Sequence, residues 1–140
     1  MKTNKFNLFQ KVQLLFGIIL FLVFLVTGQY LMHVIKPEYL NQIDQRMMAR
    51  ANHLYILFMS MINILESLIE FDKNKKWARF LGKISRVILM IAGVLFTCTF
   101  FNSYGHSIND RKIILFPTIL VLIGVILAVS HVFNKNKTAA

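Results

Sequence analysis

Hydrophobic positions along the chain gather into four runs, each bounded by charged or turn-forming residues. The spacing predicts helices over about 11–35, 50–71, 80–102 and 112–133, each long enough to cross a bilayer at about 1.5 Å per residue. Lys36-Pro37 stops the first run, and Asp72 to Arg79 forms a basic turn between the second and third. Ser103 to Arg111 is a polar connection before the nearly aliphatic fourth run. Residues 36–49 place Tyr39, Leu40, Ile43 and Met47 three or four apart, a short amphipathic pattern suited to a membrane surface. Pro117 is expected to start or kink the fourth helix. The expected fold is an all-α membrane protein, an up-down-up-down bundle of four transmembrane helices in one domain spanning 1–140.

The second run departs from the others. At about 100° per residue, Asn52, Ser60, Asn63, Glu66, Ser67 and Glu70 fall on one arc, while Leu57, Phe58, Met61 and Leu65 lie opposite. A carboxylate turned toward lipid at depth costs roughly 2.5–3.5 kcal/mol even on the lenient insertion scale. Neighbouring helices must therefore cover that arc, which makes the second helix the innermost. The fourth is expected to be the most lipid-exposed.

Composition supports the membrane reading. Of 140 residues, 56% are hydrophobic and only 16% are charged, a balance unlike that of a soluble domain. The formal charge of +10 does not sit in a stripe with interleaved aromatics, so nucleic acid is not an expected partner. Lys and Arg instead flank the runs, where they set topology and attract anionic lipids of the bilayer. Eleven of them lie at the N-terminus, in 72–86 and in the C-terminal tail; five lie in the other two connections. This predicts cytoplasmic N- and C-termini for a multi-pass protein of the inner (plasma) membrane. The first run is too long for a signal-peptide core and reads as an uncleaved helix. One cysteine, Cys98, leaves no internal disulfide and no paired-cysteine metal site.

Two constellations carry candidate chemistry. In an antiparallel pair of helices, residues at one depth have positions with a constant total. Glu66 with Arg86 totals 152 and Glu70 with Lys83 totals 153, so both pairs fit one turn and could form an ion-paired clamp. With Asn63 and Ser60 they would build an interior polar seam; the functional alternative makes Glu66 a proton or cation carrier. At the other end, His33 and His53 total 86, which places them at one depth about a turn centred near Ile43, with His106 in the other outer connection. Imidazoles so grouped could ligate haem iron, copper or zinc. No short metal spacing accompanies them, and interfacial histidines bonded to loop backbone are the plainer reading. No cofactor is expected.

Arg46-Met47-Met48-Ala49-Arg50-Ala51-Asn52-His53, with Thr27-Gly28-Gln29-Tyr30 upstream and Asn63 downstream, resembles small uncharacterised four-helix inner-membrane proteins of bacteria. That resemblance spans most of the chain and implies no activity. A fainter one is to the membrane-associated eicosanoid and glutathione metabolism family, basic four-helix chains with Arg and Asn where the second helix begins. It would imply a glutathione-dependent enzyme. Here the Asn-x-x-Glu step of that family is missing, because Tyr55 stands three residues after Asn52. The charge bias also puts the segment outside, where that family's motif is cytoplasmic.

The expected role is therefore non-enzymatic: an accessory or assembly subunit of a larger membrane complex. A small haem or metal redox protein, a glutathione-dependent membrane enzyme and a homo-oligomeric transporter are the alternatives.

Overall fold

The computed structural model describes residues 7–35, 42–69, 76–102 and 112–136. Among them every long element is a helix: α1 (Leu8–Tyr30), α2 (Ile43–Leu68), α3 (Lys76–Asn102) and α4 (Lys112–Asn136). A wider π-type turn, Leu31–Ile35, prolongs α1. The stretches Leu8–Ile35 and Arg79–Asn102 are long and apolar enough to cross a membrane, and Ile114–Ser130 is a shorter apolar helix.

Local chemistry accounts for the ends. Asn7 donates its backbone N–H to Oε1 of Gln10 at 2.8 Å, the side-chain cap of the first turn of α1. Asp44 places an acid in the first turn of α2, where the helix dipole favours it. At the other end Ile69 turns extended, with φ −75° and ψ 121°, and its N–H returns to the carbonyl of Glu66. Pro117 lies inside α4 and is fully buried, so the helix runs through it.

Two boundaries differ from the sequence reading. The expected surface segment 36–49 is helix from Ile43 onward, and its buried Met48 and Ala49 continue the inward stripe of Asn52 and Ile56. Likewise α3 begins at Lys76, taking up part of the expected basic turn.

Helix α1 packs on α2, α2 on α3, and α3 on α4, with a smaller contact between α1 and α3. The centre is therefore shared: α3 is buried along much more of its apolar stretch than α1, which flanks the bundle as α4 does. Glycine sets three of the crossings. A Cβ on Gly17 would meet Ile64 Cγ1 at 2.7 Å and the Ile64 nitrogen at 3.1 Å, which brings α1 and α2 nearly backbone to backbone. Gly93 receives Leu20 and Phe16 of α1, and Gly124 receives Leu89 of α3. Around these crossings, Leu20, Met59, Leu89, Ala92 and Phe96 form the central apolar cluster. A second cluster, Ile35, Ala49, Ile56 and Phe100, lies nearer the α1 C-terminus.

Candidate functional site: the interior polar seam

The polar face of α2 is turned inward. Asn52, Ser60, Asn63, Glu66 and Ser67 are buried, while Leu54, Phe58, Met61, Leu65 and Leu68 on the same helix are exposed. The interior also receives Gln10, Gln13 and Thr27 from α1 and Ser85, Arg86 and Thr99 from α3. Polarity is inverted relative to a water-soluble bundle.

Most of these side chains are tied to other helices, chiefly through backbone carbonyls, while the Ser67 and Thr99 hydroxyls bond carbonyls of their own helix. Each such carbonyl keeps a lone pair beyond its helical bond, and in an apolar surround that acceptor is valuable. Ser60 Oγ donates to the Gly17 carbonyl at 2.8 Å, at the glycine that allows α1 to come close. Gln13 Nε2 reaches Asn63 Oδ1 at 3.5 Å, and Asn63 Nδ2 donates to the Met59 carbonyl at 2.8 Å and to Leu89 across the gap to α3 at 3.5 Å. The 3.5 Å links are long and correspondingly weak. Gln13 is fully buried, and its Oε1 has no hydrogen-bond donor among the described residues.

The charged end of the seam lies at the C-terminus of α2. Glu66 and Arg86 are each only 4% exposed and attract one another electrostatically. The hydrogen bond to Glu66 Oε1 comes from Ser85 Oγ, at 3.1 Å, and the same hydroxyl lies 2.9 Å from the Gly124 carbonyl of α4. Arg86 Nη2 donates to the Ile69 carbonyl at 2.8 Å, and Gln10 Nε2 approaches that same oxygen at 3.4 Å. The last carbonyl of α2 thus gathers α1 and α3. Chemically, the arrangement locks four helices at one level.

The register between α2 and α3 is uniform: Asn52 with Thr99, Asn63 with Leu89 and Glu66 with Ser85 each total 151 or 152. This is the register expected for Glu66 with Arg86. Of the second pair, Lys83 is exposed with its Nζ 5.6 Å from the centre of the Phe9 ring, and Glu70 lies outside the described residues.

The histidines fall differently. Between α1 and α2, Gln13 with Asn63, Gly17 with Ser60 and Thr27 with His53 total 76 to 80, not 86. The register is shorter than expected because α2 begins at Ile43, seven residues before the expected start near 50, while the first helix ends at Ile35 as expected. Consequently Thr27, not His33, lies opposite His53. Thr27 Oγ1 is 3.1 Å from His53 Nδ1, and the ring stacks on Phe24 with centroids 4.1 Å apart. The Thr27 hydroxyl lies 2.8 Å from the Val23 carbonyl and 3.0 Å from that of Phe24. Gly28 passes beneath the imidazole, where a Cβ would sit 3.2 Å from Cε1. His33 is exposed, six residues further along the chain. His106 lies outside the described residues. Among the described residues no three His, Cys, Asp or Glu side chains gather as metal ligands do.

Sequence reasoning missed Gln10, Gln13, Thr27 and Ser85. The first three had a signal: 10, 13, 17, 20, 24 and 27 repeat at spacings of three and four, one face of α1. Ser85 had none, since its role depends on which carbonyl of α4 comes opposite. Compared with known protein families, curated proteins and solved structures, the chain matches none.

Proposed function

We propose that this chain is a four-span protein of the inner membrane with both termini cytoplasmic, acting as a non-enzymatic accessory or assembly subunit of a membrane complex. The observation that carries the reading is the inverted polarity. Gln10, Gln13, Asn52, Ser60, Asn63, Glu66, Ser85 and Arg86 are buried, while Leu22, Val26, Phe58, Leu65, Val94, Leu122 and Ile126 face outward from four helices. Continuous apolar surface of that extent marks a lipid or protein contact. Helix α2 is the most polar span and needs its neighbours to enter the bilayer, which accounts for its place between α1 and α3.

The seam supports an accessory role because most of its donors are committed to binding one helix to the next. A cleft of about 350 Å³ opens beside the seam at Asn52, between Met47, Met48, Ala51 and Tyr55 of α2 and Ile114, Leu115, Thr118 and Ile119 of α4. Native mass spectrometry of the protein ejected from its own membranes tests the reading. The expected result is release with other subunits at fixed stoichiometry, and loss of that complex when the chain is deleted. A monomer or homo-oligomer alone, with no complex altered by the deletion, would overturn it. Specific elution from glutathione resin would favour the enzyme instead.

A further inference from the structure

We propose that the first two turns of α3, with Phe9 of α1, form a binding surface for the phosphodiester headgroup of an anionic phospholipid; this rests on the membrane reading above. Lys76, Arg79 and Lys83 follow one another at spacings of three and four, within an arc of about 60° on one face of the helix. Lys76, Arg79 and Lys83 are all exposed, and none has an acidic partner among the described residues. The segment before them, 70–75, contributes two acids and two lysines and leaves the stripe positive. Lys83 Nζ stands over Phe9, so its position is set by α1 as well as by α3.

The surroundings favour a lipid over a soluble anion. Trp77 and Phe80 flank the stripe, both exposed, with ring centroids 5.9 Å apart, the aromatic character of a membrane interface. From Lys76 to Lys83 the stripe climbs about 10 Å, comparable with a headgroup layer. Beyond Lys83 the only charge on α3 is Arg86, which is buried. The cations therefore end where the uncharged surface begins. Lysine and arginine stems can lie along such a surface while their heads reach a phosphate.

Trp77 is the only tryptophan in the chain and reports on this site. The full protein is reconstituted in phosphatidylcholine vesicles carrying a few mole percent of dibrominated phosphatidylglycerol or, in parallel, dibrominated phosphatidylcholine. The glycerol lipid should quench Trp77 more than the choline lipid at equal mole fraction. Removing each cation should weaken the excess about fivefold, so Arg79→Gln with Lys83→Gln should abolish it. Lys83→Arg should keep it, and Lys11→Gln, an exposed charge elsewhere on α1, should leave it unchanged.

Equal quenching by the two lipids would overturn the site, as would an excess that survives the double substitution or falls equally with Lys11→Gln. Displacement of the excess by millimolar inorganic phosphate would also overturn it, in favour of a soluble-anion site. Absence of quenching by either lipid would contradict the membrane reading itself.

Discussion

Arg86 of α3 donates from Nη2 to the carbonyl of Ile69, the residue at which α2 ends, at 2.8 Å. A guanidinium used in this way has a neighbour to satisfy, since Glu66 lies one turn back on α2 and equally buried. Removing the arginine alone leaves a buried carboxylate without its compensating charge, a loss of about 3–5 kcal/mol. Arg86→Leu should therefore lower thermal stability in detergent sharply, and Glu66→Gln in that background should recover part of the loss. Additive losses in the double-mutant cycle would show that the two residues act independently.

The glycine crossings should differ in tolerance. Gly17→Ala puts a methyl group against backbone, with the Ile64 nitrogen at 3.1 Å and the Ser60 oxygen at 3.2 Å, so α1 and α2 must separate. At Gly93 the new methyl meets only the tips of Leu20 and Phe16, which can turn aside. Gly17→Ala should cost about 1–3 kcal/mol and Gly93→Ala clearly less, read from thermal unfolding of the purified variants. The reverse order would mean that the α1–α2 contact is looser than described.

For the histidines, purified protein should carry no stoichiometric haem or transition metal, as measured by visible spectra and elemental analysis. His33→Ala should leave stability unchanged, because the side chain is exposed. His53→Ala removes the stack on Phe24 and the bond to Thr27, and should cost about 1–3 kcal/mol. One equivalent of metal lost with either substitution would restore the ligand reading.

What could be read in advance follows from periodicity. Asn52, Ser60, Asn63 and Glu66 share a face whatever surrounds them, so the inward arc of α2 was legible without its partners. The register between α2 and α3 was legible too, because the connection is short and Glu66 with Arg86 share the total of 152 that Asn63 with Leu89 also shows. The register between α1 and α2 was not. It depends on where α2 begins, and the helix starts at Ile43, seven residues before the expected start near 50, which shortens the connection and moves Thr27 opposite His53. Partners that are backbone carbonyls, such as Gly17, Ile69 and Gly124, leave no trace in residue type.

The central claim is that four helices span the bilayer with their polar groups inside, and cysteine labelling in intact cells tests it most directly. In a Cys98→Ser background, single cysteines replace Gln42 and Asn102 at one end of the bundle, Lys76 and Asn136 at the other, and Phe58 and Val94 on the exposed apolar belt. A membrane-impermeant maleimide should label positions 42 and 102 in intact cells and positions 76 and 136 only after permeabilisation. Positions 58 and 94, exposed in the structure, should stay unlabelled until the protein is denatured, because the proposed span sets them against lipid. Labelling of 58 and 94 as fast as the ends, or of 42 and 76 from the same side of the membrane, would contradict the account.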